Sequence, residues 1–313
     1  MAIEQKFIDQ LVNVTSKAAV ASFNYVGKKD KIAADKAAVD SIRNDLNQLN
    51  IKGKIVIGEG ELDEAPMLYI GEKVGTTNGP EIDIAVDPLE GTNFAANNLP
   101  GALSVIAIAG KNNLFHAPET YMEKISAKVN EKGVVDLDYS TRENIFNLCE
   151  YLNKKPESIT ACVMDRPRHK DIIDELNILG VKIKLITDGD VSGALLVTDD
   201  KYGVDIFLGI GGGPEGVLAS AALDTFECSF QGRFLFHTEE DKRRANKMGI
   251  TNLSKKYELD EIVKGDSIFC ATGITSGDLV SGIITENNKF ITETLVTHKS
   301  TGLKKIIKKV VNR

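Results

Sequence analysis

The sequence predicts a mixed α/β protein made of two domains, and three observations support this. Residues 3–26 carry apolar side chains at helical spacing, as an amphipathic helix does. The first half also contains short, apolar, β-branched runs typical of strands. Beyond Lys155-Pro156, strand and helix patterns alternate, which favours a mostly parallel sheet. We therefore expect an α+β domain at 1–156 and an α/β domain at 157–313.

In the first half, Gly27 ends the long helix, and Ala33 begins a second helix that reaches about Leu49. A third helix is predicted from about Arg142 to Asn153. The predicted strands of this half lie at 54–58, 82–86 and 103–109. The last of these is almost wholly apolar, which predicts a buried central strand.

In the second half, strands and helices alternate along the chain. The predicted strands are 159–164, 181–186, 204–210 and 267–271, and the predicted helices are 170–179, 191–197 and 215–224. In open α/β sheets, ligands bind outside the carboxyl ends of the strands. Those ends carry candidate site residues at 165–168, 188–190, 211–215 and 272–273.

Composition narrows the class of protein. The 313 residues are 42% hydrophobic and 27% charged, with a net charge of -7, which is typical of a globular protein and makes nucleic acid an unfavourable partner. The basic C-terminal cluster, residues 304–313, is expected to be a solvated surface. The four cysteines lack CxxC spacing and indicate buried, reduced residues. The four histidines show no zinc-site spacing. No signal peptide or membrane-spanning run is recognisable, so we expect a cytoplasmic protein.

The strand at 82–86 leads into a cluster of oxygen donors. Pro88 lacks a backbone N–H and is expected to stop the strand after Asp87. The turn that follows returns Glu90 toward Asp87, and Thr92 is expected at a helix N-cap. Two carboxylates and a hydroxyl suit Mg²⁺ or Mn²⁺, although a solvated acidic turn would look the same.

A second strand, 54–58, also ends in acid, at Glu59, Glu61, Asp63 and Glu64. Carboxylates crowded at strand ends repel one another unless cations lie among them. The two acidic strand ends together are therefore better evidence for a metal site than either one alone.

The glycine-rich run at 211–216 formally satisfies GxGxxG, which raises the alternative of a dinucleotide-linked oxidoreductase. Glu215 weakens that interpretation, because it would stand where a pyrophosphate should bind. No acidic strand end follows about 20 residues later to hold a ribose. A carboxylate at this position instead suits a metal ion that bridges to phosphate.

Arg166 and Arg168 flank Pro167 in a rigid basic loop after a buried strand. Guanidinium groups bind phosphate in a bidentate manner, so this loop is a candidate second phosphate site, with a solvated loop as the alternative. Asp188 and Asp190 are either acceptors for sugar hydroxyls or part of a turn.

Six stretches resemble class II fructose-1,6-bisphosphatase of bacteria, and the resemblance extends over nearly the whole chain. They are 57–69 (IGEGELDEAPMLY), 87–92 (DPLEGT), 117–124 (APETYMEK), 166–169 (RPRH), 188–190 (DGD) and 209–216 (GIGGGPEG). That family belongs to the lithium-sensitive, metal-dependent sugar phosphatases, which include inositol monophosphatase. The resemblance implies their layered fold, αβαβα, with a metal-binding domain followed by a substrate-binding domain. The stretch at 231–249 is shorter than the family pattern, which leaves subunit contacts and effector sites open.

The resemblance also implies a role for each matching residue. The implied ligands of two or more Mn²⁺ or Mg²⁺ ions are Asp35, Glu59, Asp87, Glu90 and Glu215. Asp63 and Thr92 would orient the attacking water and remove its proton, and Lys31 would screen the transferred phosphate. The implied substrate contacts are Glu90, Gly91, Thr92, Tyr121, Arg166, Pro167, Arg168, Asp188, Gly189, Asp190 and Gly212.

The implied reaction removes the 1-phosphate of fructose 1,6-bisphosphate to leave fructose 6-phosphate, a step of gluconeogenesis. We expect a homo-oligomer, a dimer or a tetramer, with a sugar bisphosphate as the substrate. Sedoheptulose 1,7-bisphosphate and inositol phosphates are alternative substrates. A dinucleotide-linked oxidoreductase and a catalytically silent sugar-phosphate sensor are alternatives from other classes.

Overall fold

The computed structural model describes residues 2–60 and 67–312. The strands are β1 (Lys52–Ile57), β2 (Lys73–Val74), β3 (Glu81–Glu90), β4 (Leu103–Gly110), β5 (Tyr121–Ala127), β6 (Thr160–Met164), β7 (Lys182–Ile186), β8 (Ile206–Gly212), β9 (Ser229–Leu235), β10 (Lys256–Glu258), β11 (Ser267–Gly273), β12 (Ile284–Glu286), β13 (Lys289–His298) and β14 (Leu303–Asn312). The helices are α1 (Lys6–Phe23), α2 (Lys31–Leu46), α3 (Thr92–Asn97), α4 (Thr141–Leu152), α5 (Lys170–Ile178), α6 (Asp190–Leu195), α7 (Gly213–Leu223), α8 (Glu239–Lys247) and α9 (Leu259–Ile262).

The chain folds into two compact units, each with its own sheet. The first unit joins Met1–His116 with Val263–Arg313, and the second is Ala117–Ile262. The predicted α/β class with two sheets is confirmed. The boundary expected near Lys155-Pro156 instead lies inside the second unit, because β5 pairs with β8 and β9 and so ties the chain before that point to the sheet after it.

The first unit contains a sheet in the order β12-β13-β11-β4-β3-β1-β2, with β14 added beside β13. Its β1 and β3 are parallel, and its other strand pairs are antiparallel. α1 packs against β4, β11 and β13, and α2 packs against β3. Apolar residues of these elements, such as Leu11, Ile42, Ile84 and Ile106, form one buried core.

β3 differs from its prediction at its end. The strand continues through Pro88 to Glu90, and its register with β4 shifts between Asp87 and Glu90. Proline is tolerated in a strand at such a bulge, because no ladder hydrogen bond is required of it there. Thr92 is the first residue of α3 and not its N-cap, which is Gly91 in the left-handed region.

The second unit contains a sheet in the order β10-β9-β5-β8-β6-β7. Only β7, β6 and β8 run parallel to one another, and β5, β9 and β10 join by antiparallel pairing. The expectation of a mostly parallel sheet is therefore wrong, because the alternating strand–helix pattern accounts for three of the strands alone. The strand predicted at 267–271 is β11, which pairs with β4 in the sheet of the first unit.

Two further expectations concern burial and surface. The four cysteines, all among the described residues, are buried and none forms a disulfide, as predicted. The basic C-terminal segment is β14, which pairs along its length with β13; Lys304, Lys305 and Lys308 are exposed, whereas Leu303, Ile307 and Val311 pack against the core. Among the described residues, no helix has the length and apolar character needed to span a bilayer.

Candidate active site

In the first unit, two acidic residues lie at the ends of adjacent parallel strands. β1 and β3 pair as far as Ile57 and Ala85. Glu59 and Asp87 each lie two residues beyond that last pair, at the carboxyl end of the two strands. Both side chains are partly exposed. The parallel register therefore places two of the predicted ligands at one end of the sheet, where ligands of such sheets bind.

Between β3 and α3, the chain reverses at Glu90 and Gly91. Glu90 is 4% exposed, and Gly91 has a φ of 75°. A Cβ atom on Gly91 would lie 2.7 Å from Cδ2 of Phe94, and the positive φ would strain any other residue. Gly91 therefore allows Thr92 to begin α3 directly after the buried Glu90.

The start of α2 carries Lys31 and Asp35. The N–H of Gly27 donates to the carbonyl oxygen of Ala95 at 2.9 Å, which ties the segment before α2 to α3. Lys31 is exposed, whereas Asp35 is partly buried. Burial raises the pKa of Asp35 to about 6, because it disfavours the charged carboxylate. A cation beside this carboxylate would oppose that effect.

Asp63, the predicted proton acceptor, lies outside the described residues, as do Glu61 and Glu64. The described chain on either side is tied together by backbone hydrogen bonds. The N–H of Glu59 donates to the carbonyl oxygen of Leu68 at 3.0 Å.

In the second unit, Glu215 lies in the first turn of α7, directly after β8. Its Oε2 atom is buried, and no described residue donates a hydrogen bond to it. Burial raises the pKa of Glu215, and the nearby charge of Lys124 opposes that rise. Gly212 provides the space for this carboxylate, since a Cβ atom there would lie 1.9 Å from Oε2.

The basic loop after β6 is a turn of 3₁₀ helix, Pro167–His169. The guanidinium of Arg168 lies 4.9 Å from the ring centroid of Tyr121, and its Nε donates to the carbonyl oxygen of Ile210 at 2.9 Å. Both residues are exposed. Arg166 is partly buried and donates to the carbonyl oxygen of Asp165 at 3.0 Å. The structure therefore places Arg168 and Tyr121 together.

His169 anchors this loop. Its ring is fully buried, and its Nε2 accepts from the N–H of Ile210 at 2.8 Å, so Nδ1 donates to the carbonyl oxygen of Met164 at 2.7 Å. Burial lowers the pKa of His169, which keeps it neutral and suited to both bonds. The ring thereby joins β6, β8 and the arginine loop.

The turn after β7 carries Asp188, Gly189 and Asp190. The N–H of Gly189 donates to Oδ1 of Asp188 at 3.2 Å, and the φ of Gly189 is 83°. Asp190 begins α6, is 7% exposed and forms an ion pair with Lys124. The structure therefore separates the two acids, with Asp188 in the turn and Asp190 buried beside a cation.

The chain matches a known protein family over nearly its whole length. The model of the family described as bacterial fructose-1,6-bisphosphatase, glpX-encoded, matches residues 5–311. The chain belongs to this family. It is thereby a fructose-1,6-bisphosphatase and a phosphoric monoester hydrolase, and the predicted family is confirmed.

Curated relatives agree with this bacterial fructose-1,6-bisphosphatase assignment. A protein of Synechococcus sp. strain JA-3-3Ab is 41% identical over 312 residues, covering 92% of this chain and 90% of the relative. A protein of Prochlorococcus marinus strain MIT 9301 is 42% identical over 308 residues, covering 94% of this chain and 92% of the relative. Both are named D-fructose 1,6-bisphosphatase class 2/sedoheptulose 1,7-bisphosphatase.

Among solved structures, the extragenic suppressor protein of Bartonella henselae has a TM-score of 0.36 and 13% identity, covering 63% of this chain and 73% of that one. The assignment to the fructose-1,6-bisphosphatase family therefore rests on the family model and the curated relatives. It leaves no support for the dinucleotide-linked oxidoreductase that the glycine-rich run suggested.

The family is one of metal-dependent phosphatases, and the buried Oε2 of Glu215 fits a divalent cation. A buried carboxylate oxygen without a donor among the described residues is costly unless a cation or a proton reaches it. In the described ranges, however, no three His, Cys, Asp or Glu side chains converge closely enough to hold an ion. The structure thus brings Glu59 and Asp87 to one sheet end without closing a ligand cluster there.

Two residues of this bacterial fructose-1,6-bisphosphatase were missed from sequence. Lys124 lies fully buried beside Asp190 and Glu215, and His169 holds the arginine loop. A signal for Lys124 was present, because Met122, Lys124 and Ser126 share one strand face and the other two are apolar or small. No comparable signal marked His169.

Proposed function

We propose that this chain uses divalent metal ions, Mn²⁺ or Mg²⁺, to hydrolyse the 1-phosphate of fructose 1,6-bisphosphate to fructose 6-phosphate and phosphate. The observation that carries the proposal is the family match over residues 5–311. The buried and unpaired Oε2 of Glu215 supports the metal part of it. The proposed ligands of two or more ions are Asp35, Glu59, Asp87, Glu90 and Glu215.

When bound, the ions would supply Lewis-acid stabilisation of the charge that develops during an in-line displacement. The chain's own residues would do the rest. Asp63 and the hydroxyl of Thr92 would orient the attacking water and accept its proton. Lys31, exposed at the start of α2, would screen the transferred phosphate. Gly91 would allow the backbone of α3 to approach that phosphate closely.

The other end of the substrate needs cations of its own, because the proposed metal ions neutralise only the phosphate that is transferred. Arg166 and Arg168, with Pro167 between them, would bind this distal phosphate. The stacking of Arg168 on Tyr121 supports this, since it restricts where the guanidinium can point. Asp188 and Asp190 would accept hydrogen bonds from sugar hydroxyls, and Gly189 and Gly212 would provide the clearance.

A second activity, on sedoheptulose 1,7-bisphosphate, is favoured by one observation, the double name that the curated relatives carry. Such a substrate also has two phosphates, so the same distal arginines would serve it. From the sequence, we further propose a homo-oligomer in the cytoplasm.

The test is phosphate release by the purified full-length chain from a panel of sugar phosphates, with Mn²⁺ or Mg²⁺. We expect fructose 1,6-bisphosphate to be hydrolysed with the highest kcat/KM and to yield fructose 6-phosphate. A higher kcat/KM for inositol 1-phosphate, or a yield of fructose 1-phosphate, would overturn the proposal.

A further inference from the structure

Lys124 is a charged residue in the interior of the second unit. It lies in β5, between β8 and β9, with Gly209 and Gly232 as its strand partners. Only 1% of the residue is exposed. Burying an ammonium group is costly, because the group loses its hydration, so a lysine in this position needs partners that repay the loss.

The partners of Lys124 are two groups from the candidate site. Its Nζ forms an ion pair with Oδ2 of Asp190 and donates to the carbonyl oxygen of Gly212 at 2.6 Å. Asp190 begins α6, and Gly212 is the N-cap of α7. One ammonium group therefore joins the beginnings of two helices that both carry proposed site residues.

The same contacts leave two carboxylate oxygens open. Oδ1 of Asp190 and Oε2 of Glu215 are buried, and no described residue donates a hydrogen bond to either. Because Lys124 engages Oδ2 of Asp190, the direction of Oδ1 is set by the ion pair. Buried polar atoms are normally paired, so two unpaired oxygens beside one lysine indicate atoms that a bound ligand would pair.

We propose that Lys124 is a positioning residue for the substrate, which holds Asp190 and the Gly212 carbonyl in place for the sugar and leaves Glu215 to the metal ion. The inference rests on the proposed function, which assigns Asp190 to the sugar hydroxyls. This role predicts different effects on sugar binding and on metal binding. The fixed positive charge of Lys124 beside Asp190 and Glu215 opposes cation binding, so its removal should not weaken metal binding. Its removal should weaken sugar binding, because Asp190 is no longer held in place.

The test compares Lys124→Met with a matched control, Lys256→Met. Lys256 also forms ion pairs in the second unit, with Asp136 and Asp138, and none of these three is a proposed site residue. We expect Lys124→Met to raise the KM for fructose 1,6-bisphosphate about 10- to 100-fold, the size of a lost hydrogen bond that involves a charged group. The Mn²⁺ concentration for half-maximal activity should not rise, and the control should change neither quantity by more than about twofold.

A double-mutant cycle with Asp190→Asn separates positioning from loss of fold. Lys124→Met alone leaves a buried, uncompensated carboxylate. The double variant removes both charges and should melt at a higher temperature than Lys124→Met. If Lys124 acts through Asp190, the KM of the double variant is no higher than that of Asp190→Asn. Additive increases, an unchanged KM in Lys124→Met, or a Mn²⁺ requirement that rises in parallel with KM would overturn the proposal.

The outcome stays separate from that of the proposed function. If the wild-type chain releases no phosphate from fructose 1,6-bisphosphate, the proposed function fails, and calorimetric binding of this bisphosphate decides on Lys124. Weaker binding by Lys124→Met than by the wild type and Lys256→Met would support the role. Equal binding by all three, or no binding by the wild type, would overturn it.

Discussion

Gly212→Ala tests whether the position of the Glu215 carboxylate controls activity. The φ of Gly212 is -70°, so alanine fits the backbone at this residue. The added Cβ atom, however, would lie 1.9 Å from Oε2 of Glu215 and 2.6 Å from its Cδ. The carboxylate must therefore retreat by about 1.5 Å to reach ordinary contact distance, and a misplacement of about 1 Å can cost about 10²-fold in rate.

The cost to stability should be small, because the obstructed atoms are the end of a flexible side chain. Alanine at this N-cap should lower the free energy of unfolding by about 1 kcal/mol or less. We therefore expect kcat for fructose 1,6-bisphosphate to fall about 10²-fold while the thermal melt barely changes. The assay measures phosphate release across a Mn²⁺ titration, because a displaced ligand should also raise the metal requirement.

Gly110→Ala is the matched control for this experiment. A Cβ atom at Gly110 would meet only the side-chain nitrogen of Asn113, at 3.2 Å, and the residue lies outside the candidate site. Its activity should stay within about twofold of the wild type. Wild-type kcat and metal requirement in Gly212→Ala would refute the reasoning that Gly212 exists to make room for Glu215.

Three further outcomes are expected. Arg168→Ala should lower kcat/KM for fructose 1,6-bisphosphate about 10- to 100-fold, because one charge-assisted contact is lost. It should barely alter the slow hydrolysis of fructose 1-phosphate. Equal losses on both substrates in phosphate-release assays would contradict a distal phosphate site. Asp63→Ala or Thr92→Ala should lower kcat by about 10²-fold with little change in KM, and a raised KM at unchanged kcat would assign these residues to binding. Burial alone would raise the pKa of Asp266, but hydrogen bonds from the N–H groups of Ile3 and Ser300 hold this pKa below 3.8. The carboxylate therefore stabilises the fold above pH 3.8, and this stabilisation is lost as the pH falls through the folded pKa of Asp266. Asp266→Asn should therefore lower the melting temperature at neutral pH, and this loss should shrink as the pH falls through the folded pKa of Asp266, whereas an equal loss at every pH would argue against this carboxylate as the source.

Much of the local structure was predictable from sequence, because it depends on neighbouring residues. The short apolar runs at β1 and β3 and the acids near their ends are local patterns, and the structure confirms both strands. The arginine loop was also readable, since Pro167 marks a turn directly after a buried strand.

The rest depends on pairing between distant parts of the chain. Nothing local in β11 shows that it pairs with β4 and returns residues after 262 to the first unit. The antiparallel pairing of β5 with β8 is equally non-local, and it is what places Lys124 beside the carboxylates. The continuation of β3 past Pro88 required a bulge against β4, which the sequence of β3 alone does not reveal.

The most direct test of the proposed metal dependence measures phosphate release from fructose 1,6-bisphosphate by the metal-stripped chain, before and after Mn²⁺ is added. The same measurement is made on Glu215→Gln. This variant keeps the side-chain volume but removes the ligand charge. We expect no turnover without metal, full turnover with Mn²⁺, and a kcat at least about 10²-fold lower in the folded variant at every Mn²⁺ concentration. Turnover by the metal-free enzyme, or a wild-type rate in Glu215→Gln, would contradict the account.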